Sequence, residues 1–182
     1  MTEYKSWPLG QLPPEFQRPE LDQLKKNGYK FSDPREVVDI FEKKVAKFAG
    51  AKYGIAVDCC SHGLFLSLKW YKDVMKMITE HIHIPRYTYC SVPMQIIHAG
   101  FKPVFEDVTW SGMYQLRPFD IWDGAVRWTQ GMYKSGFHIV SFQLKKRIPI
   151  GRGGMILTND RKAADWFRKM TYDCLLYTSP SP

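Results

Sequence analysis

Apolar residues along the chain recur at two different spacings, and these spacings predict helices and strands. One helix is predicted from Glu36 to just before Gly50, because its apolar positions recur three and four residues apart. Asp33 and Pro34 supply an N-cap and a first-turn proline, Glu36 supplies a capping-box acid, and Gly50 is placed to end the helix. Residues 7–31 contain several prolines and little periodicity, so we expect an extended arm there.

The rest of the chain alternates short apolar runs, which suit buried strands, with segments of helical length and periodicity. Such alternation implies parallel strands joined by right-handed crossovers. The predicted fold class is therefore α/β, a three-layer α/β/α domain with a mostly parallel sheet. The predicted strands are 53–58, 81–85, 102–108, 119–123, 137–143 and 154–159, and the predicted helices between and after them are 61–78, 91–100 and 160–170.

Composition supports a folded domain. The 182 residues are 45% hydrophobic and 15% aromatic, which is enough apolar surface to offset the entropy of ordering one domain. We expect a cytoplasmic protein, because no apolar run is long enough to cross a bilayer and the N-terminus lacks a signal-peptide pattern. The four cysteines show no CxxC spacing, so we expect reduced thiols and no metal site.

The formal net charge of +8 is compatible with nucleic acid, an anionic membrane or small phosphorylated ligands as partners. The lysines and arginines are scattered, mostly at spacings that suit solvated helix faces. We therefore expect ordinary surface charge, with neither nucleic acid nor a membrane as a partner.

Polar residues with distinct chemistry stand where the predicted strands end. Asp123 closes one strand, and Ser61 opens the helix after another, where free N–H groups and a hydroxyl favour an anion. Ser141 could contribute to the same anion site. A loop after the strand that contains Ser141 carries Lys145 and Lys146.

An aromatic residue, Tyr89, stands at the start of the helix at 91–100. An amine, an acid, an anion site and a flat ring together are what an enzyme needs to hold pyridoxal 5'-phosphate (PLP). The amine would bind the cofactor as a Schiff base, and the acid would keep its pyridine nitrogen protonated. Taken singly, a serine at a helix start is more often an N-cap and a strand-end aspartate a turn residue.

Three segments, in order and local spacing, resemble the DegT/StrS family of PLP-dependent sugar aminotransferases over roughly residues 36–173. FEKKVAKFAGAKYGIAVDCCSHGLFLSLKW resembles the first helix, strand and phosphate-loop helix of the family. PRYTYCSVPMQIIHAGFKPVFEDV is similar to its PSYTF-type segment, and SFQLKKRIPIGRGGMILTND is similar to its SFHPTK...GEGGMIVTND signature.

The resemblance assigns roles to individual residues. The Schiff-base lysine of the family falls on Lys146, which would be the catalytic residue, and Lys145 is then expected at the surface. The acid of the family's EDAAQ motif falls on Asp123 of WDGAV, and its ring-stacking aromatic falls on Tyr89. The phosphate contacts fall on Cys60, Ser61 and Ser141.

Departures from the family pattern also occur. Val126 stands where the family has Gln or His near the phenolic oxygen of the cofactor, Cys60 replaces a glycine, and Arg152 replaces the glutamate of GEGG. The segment between Asp107 and Asp123 is shorter than in typical members and lacks a strand and a helix of the large domain.

The resemblance implies transfer of an amino group, with glutamate as the expected donor, to a nucleotide-linked keto-sugar. The expected partners are the nucleotide-sugar and amino-acid substrates and, for the full-length protein, a second copy in a homodimer. Two alternatives are a non-catalytic homologue that keeps the fold for binding or regulation, and a PLP-dependent sugar dehydratase. In dehydratases of the family a histidine replaces the lysine, so Lys146 argues against the second.

The resemblance also implies a domain organisation. Residues 1–173 are expected to be a partial PLP-binding large domain without the C-terminal small domain, and residues 174–182 are expected to be a non-native tail. The alternative for the tail is a genuine linker rich in serine and proline. Because the family builds its substrate pocket partly from the C-terminal half, the 182 residues alone are expected to be inactive.

Overall fold

The computed structural model describes residues 19–30 and 35–173. These residues fall into two compact units, one ending at Phe41 and the other starting at Glu42. The predicted cap residues Asp33 and Pro34 and the predicted tail at 174–182 lie outside the described residues.

The first unit contains helix α1 (Pro19–Lys26), which lies within the segment predicted to be an extended arm. That prediction is wrong for these eight residues. Pro19 occupies the first helical position, where its missing N–H costs nothing, and Lys25 and Lys26 lie in the last turn, where cations complement the helix dipole. The remainder of the predicted arm lies largely outside the described residues.

The other elements agree closely with the predicted order. Helix α2 ends as predicted, because Gly50 adopts a φ of 82°, which favours glycine. Helix α3 is continued by a π-helical turn at Trp70–Val74, and helix α5 by another at Lys169–Asp173. The elements are α2 (Glu36–Ala49), β1 (Tyr53–Val57), α3 (Cys60–Lys69), β2 (His81–Pro85), α4 (Ser91–His98), β3 (Lys102–Glu106), β4 (Tyr114–Gln115), β5 (Ile121–Asp123), β6 (Phe137–Ser141), β7 (Gly154–Thr158) and α5 (Arg161–Arg168).

Five strands form the main sheet in the order β1-β7-β6-β5-β4. The α/β class is confirmed, but the strand pairing is more mixed than the predicted mostly parallel sheet. Only β5 and β6 pair in parallel, because β7 lies antiparallel between β1 and β6, and β4 is antiparallel to β5. The chain passes from β6 to β7 through a loop with no helix, and an antiparallel pair needs no helical crossover.

Strands β1, β5 and β6 nevertheless point the same way, so their carboxyl ends meet at one edge of the main sheet. Strands β2 and β3 pair in parallel, as predicted, but in a separate two-stranded sheet. Backbone hydrogen bonds between His83 and Arg117 connect that sheet to the segment before β5.

Helices cover both faces of the main sheet, which confirms the three layers. On one face α3 and α5 bury Leu64 and Phe167 against Ile139, Ile156 and their neighbours in the core. On the other face α2 approaches so closely that a Cβ at Gly54 would lie 3.0 Å from the Glu42 carbonyl oxygen. The main sheet is thus packed between helices on its two faces, and the edge at the carboxyl ends of its parallel strands is where such sheets bind ligands.

Candidate active site

A cavity of about 360 Å³ lies at the carboxyl ends of β1, β5 and β6. Open α/β sheets bind ligands at such an edge, because the loops that leave the strands converge there. All six residues that the sequence singles out line it, together with seven others. The lining residues are Cys59, Cys60, Ser61, Leu64, Tyr89, Ser91, Val92, Asp123, Ala125, Ser141, Gln143, Lys145 and Lys146.

The turn between β1 and α3 places backbone N–H groups at the floor of the cavity. Cys59 caps α3 by accepting a 3.4 Å hydrogen bond from the His62 N–H on its sulfur. Gly154 of β7 lies directly against this turn, and a Cβ there would come within 2.6 Å of the Cys60 nitrogen. The first turn of α3 is therefore fixed by the sheet, with its free N–H groups and dipole available to an anion.

Hydroxyl groups surround the same turn. Ser61 and Ser91 share a hydrogen bond of 2.6 Å between their Oγ atoms, and Ser141 lines the cavity at the end of β6. Ser91 begins α4, so the N-termini of two helices meet here. The sequence analysis missed Ser91, although a serine two residues before a proline at a predicted helix start is a usable signal.

The Cys60 thiol is packed against the core even though the residue as a whole is partly exposed. This burial and the negative charge of Asp123 raise the pKa of the thiol well above its usual range, against the opposing charge of Lys146. Cys60 is therefore a neutral thiol that contributes its backbone and its shape to the cavity, and not a nucleophile.

Asp123 is only 7% exposed and has a hydrogen bond on each carboxylate oxygen. Oδ1 accepts from the Ala125 N–H at 3.0 Å, and Oδ2 accepts from the Tyr114 hydroxyl at 2.8 Å. Burial raises the pKa of Asp123, while these two hydrogen bonds and the positive charge of Lys146 lower it in part. A buried acid with a nearby cation in a cavity is typical of a functional group.

The two lysines of the β6–β7 loop differ in their surroundings. The backbone N–H of Lys146 donates to the Gln143 carbonyl at 2.8 Å, and that of Lys145 donates to Gln143 Oε1 at 2.9 Å. Both line the cavity, but Lys145 is exposed, whereas Lys146 is half-buried and its charge acts on Asp123 and Cys60. The contacts favour Lys146 as the amine of the site.

Tyr89 lies at the mouth of the cavity and is 73% exposed. Arg152, which stands at the position of the family's glutamate, lies 3.3 Å from Asp58 and so links the lysine loop to the turn before α3. Val126 is partly exposed and does not line the cavity. The Val126 side chain has no polar atom, so it offers no hydrogen bond to a ligand.

Two further classes of feature are absent from the described residues. Within 19–30 and 35–173, no group of three or more histidine, cysteine, aspartate or glutamate residues could hold a metal ion. None of the helices in those ranges combines the length and apolar character that crossing a membrane requires.

Comparisons with known proteins place this geometry in context. Residues 15–121 match the DegT/DnrJ/EryC1/StrS aminotransferase family. Among curated proteins, the spore coat polysaccharide biosynthesis protein SpsC of Bacillus subtilis (strain 168) is 36% identical over 92 residues, which are 49% of this chain and 22% of SpsC.

Solved structures share the fold. DesI, in the presence of its TDP-sugar product, superposes with a TM-score of 0.59 at 18% identity, over 82% of this chain and 47% of DesI. Helicobacter pylori PseC, an aminotransferase involved in pseudoaminic acid biosynthesis, superposes with a TM-score of 0.61 at 15% identity, over 82% of this chain and 52% of PseC. The dehydratase ColD with bound GDP-perosamine superposes with a TM-score of 0.58 at 16% identity, over 71% of this chain and 45% of ColD.

The chain therefore spans about half the length of these structures and less of SpsC. The match over residues 15–121 covers more than half of the 182 residues and confirms the resemblance seen in the sequence. This chain belongs to the DegT/DnrJ/EryC1/StrS aminotransferase family.

Proposed function

We propose that the cavity binds PLP and that the full-length protein transfers an amino group from an amino acid, glutamate in the first instance, to a nucleotide-linked keto-sugar. One observation carries the proposal. A half-buried lysine, a buried aspartate and a cluster of hydroxyl and N–H donors meet in one cavity, although they come from four separate parts of the chain.

The donor set fits the cofactor group by group. The N-terminus of α3, with the hydroxyls of Ser61, Ser91 and Ser141, would hold the phosphate, because these donors supply the charge and hydrogen bonds that an anion needs. Lys146 would hold the aldehyde through its amine, and the exposed ring of Tyr89 would pack on the pyridine face. When bound, PLP supplies an electron sink for the pair released at the α-carbon of the amino acid.

Asp123 would act on the ring nitrogen through its charge. Its two oxygens are held by Ala125 and Tyr114, and its burial weakens screening by water, so its field on a nearby group is strong. An ionised carboxylate stabilises a proton on a pyridine nitrogen, which a neutral side chain does not.

Lys146 would have a second role once an amino-acid substrate has displaced it from the cofactor. Its amine would then move a proton between the substrate and the cofactor as a general base and acid. The loop that carries it is closed at its base by hydrogen bonds from Phe142 to Gly153 and from Ile150 to Phe142, so the amine stays in reach of the cavity.

The substrate class is inferred from the relatives. The DesI structure was determined in the presence of its TDP-sugar product and the ColD structure with bound GDP-perosamine, and SpsC is a spore coat polysaccharide biosynthesis protein. The excess of positive charge in this chain would favour a sugar that bears a diphosphate. We further infer that the full-length protein acts as a homodimer in the cytoplasm.

The first prediction concerns the lysine pair. PLP is added to the 182-residue chain, the complex is reduced with borohydride, and the labelled peptide is mapped by mass spectrometry. We expect the label on Lys146, because its charge and not that of Lys145 acts on Asp123. Lys145→Ala is the matched control and should label as the unsubstituted chain does, whereas Lys146→Ala should not label.

Label on Lys145 in the unsubstituted chain would show that the assignment of the amine is wrong. Absence of any label, with no visible absorption band after PLP is added, would contradict the proposed cofactor. A labelled full-length protein that does not exchange amino groups with glutamate would instead favour the non-catalytic homologue, for which Val126 and Cys60 are the motivation.

A further inference from the structure

The contact between Tyr114 and Asp123 has no counterpart among the residues that the family resemblance assigned. Strand β4 pairs antiparallel with β5 so that Tyr114 lies directly opposite Asp123. The Tyr114 side chain is only 7% exposed, and its hydroxyl donates to Asp123 Oδ2 at 2.8 Å. Tyr114 itself does not line the cavity that holds Lys146. Tyr114 therefore contacts Asp123 from outside the cavity.

Thr88 extends this contact. Its hydroxyl shares a short hydrogen bond with the Tyr114 hydroxyl. An ionised carboxylate can only accept, so the single phenolic proton is directed at Asp123, and Thr88 must donate to the phenolic oxygen. The result is a chain of two donors, Thr88 to Tyr114 to Asp123, in which each hydrogen bond strengthens the next.

The Tyr114 ring is held in place by its surroundings. Trp110 packs edge-on against it with 4.8 Å between the ring centroids, and the Trp110 Nε1–H donates to the Tyr87 carbonyl at 2.8 Å. Burial and the negative charge of Asp123 raise the pKa of Tyr114 far above its usual range, so the phenol remains a neutral donor. Two other ionisable groups interact electrostatically with Asp123. The positive charge of Lys146 lowers the pKa of Asp123, and the negative charge of Asp123 raises the pKa of the Cys60 thiol.

We propose that Tyr114 is a positioning residue, whose hydroxyl, oriented by Thr88, fixes the Asp123 carboxylate in the direction that the cofactor's ring nitrogen requires. The positioning role rests on the proposed function, because it requires a bound cofactor. The two hydrogen bonds from Thr88 to Tyr114 and from Tyr114 to Asp123 are present without the cofactor. Tyr114 also gives a role to the segment between Asp107 and Asp123, which departs from the family pattern.

The test compares Tyr114→Phe, which removes only the hydroxyl, and Thr88→Val, which removes the donor to it, with the unsubstituted chain. Tyr133→Phe is the matched control, because the Tyr133 hydroxyl bonds to Gly136 and Asn159, not to Asp123. Two readouts are used. One is the titration of the Asp123 carboxyl in the cofactor-free protein by carbon NMR, with the signal assigned through Asp123→Asn. The other is PLP affinity from the visible absorption band.

We expect Asp123 to titrate at higher pH in Tyr114→Phe, since a hydrogen bond to the ionised form is lost, and by less in Thr88→Val. PLP affinity should fall about tenfold in Tyr114→Phe, the effect of losing one hydrogen bond to a charged group. Tyr133→Phe should change neither readout.

An unchanged Asp123 titration in both Tyr114→Phe and Thr88→Val would show that the hydrogen bonds of Tyr114 and Thr88 do not act on the Asp123 carboxylate, and would overturn the proposal. A shifted titration with unchanged PLP affinity, in a chain that does bind PLP, would overturn the positioning role. If the unsubstituted chain binds no PLP, the proposed function fails, and the NMR titration alone then decides whether Tyr114 orients Asp123.

Discussion

At the scale of single residues, the fold seals several ionisable side chains away from water, and their partners decide which of them stay charged. Glu42, 2% exposed, accepts a 2.7 Å hydrogen bond from the Ala56 N–H and lies 2.8 Å from an Arg168 nitrogen, so its charge is compensated. His138 is fully buried on β6, and no acidic side chain among the described residues acts on it in the same way.

His138 makes stability depend on pH. Burial and the charge of Arg127 lower its pKa to about 4, against a small opposing effect of the Met132 backbone. The unfolded chain binds a proton near the ordinary pKa of about 6.5, whereas the folded chain binds it only near 4, so unfolding takes up a proton between these values. The contribution of His138 to the free energy of unfolding is therefore fully present above about pH 6.5. We expect about 3 kcal/mol of this free energy to be lost as the pH falls to 4.

The measurement is the free energy of unfolding by urea at a series of pH values between 7 and 4. In His138→Leu this part of the pH dependence should disappear, whatever the absolute stability of the variant. His98→Gln, a substitution of an exposed histidine, is the control and should keep the slope of the unsubstituted chain. Parallel curves for all three proteins would show that His138 does not carry the effect.

At the scale of elements, the candidate site depends on how closely helix α3 approaches the sheet. Two glycines permit this approach. A Cβ at Gly63 would lie 2.9 Å from Ile139 Cγ2, and a Cβ at Gly154 would lie 2.6 Å from the Cys60 nitrogen. The second contact is with backbone, which cannot move aside as a flexible side chain can. Strand β7, running antiparallel between β1 and β6, thus sets the position of the first turn of α3.

Gly154→Ala should displace that turn. We expect a loss of about 1–3 kcal/mol in the free energy of unfolding, typical of overpacking, and a weaker affinity for inorganic phosphate and PLP, because the N–H groups of α3 move. Gly50→Ala is the control. Its positive φ of 82° makes it destabilising too, but it caps α2 away from the cavity.

Phosphate binding by calorimetry and unfolding by urea separate the two effects. Both variants should lose stability, and only Gly154→Ala should lose phosphate affinity. Equal phosphate affinity in the two variants would contradict the idea that β7 positions the anion site.

At the scale of the whole molecule, the cavity is built by strands β1, β5 and β6 and by the helices that follow β1 and β2, all within one compact unit. The part of the chain that aligns with the solved structures covers about half of the length of each of them. The residues proposed to hold the cofactor thus all lie within this unit, whereas the substrate contacts that the family resemblance implies are assigned to the C-terminal half.

We therefore expect the 182-residue chain to capture PLP weakly without transaminating. Positioning of a bound substrate can contribute about 7–11 kcal/mol to lowering a barrier, and this contribution is lost when its contacts are missing. The measurement couples glutamate consumption to amino-sugar formation, with Lys146→Ala as the background. Turnover by the 182 residues equal to that of a longer version from the same gene would show that the site is complete without further residues.

Local patterns in the sequence were sufficient for much of the fold. Apolar spacing predicted α2, β1, α3 and the strand that ends at Asp123, because periodicity reports directly which face of an element is buried. The order of short motifs also singled out Lys146, Asp123 and Ser61, which the structure brings to one cavity. Their roles there remain predictions.

Only the tertiary structure decided the rest. The antiparallel insertion of β7, the separate sheet of β2 and β3, and the short strand β4 depend on which strands meet, and periodicity within one segment carries no information about its neighbours. The proposed roles of Ser91 and Tyr114 also could not be read from local patterns. Each role depends on a hydrogen-bond partner from another element: Ser61 for Ser91, and Asp123 for Tyr114. The sequence determined which residues have the right chemistry, and long-range packing determined which of them touch.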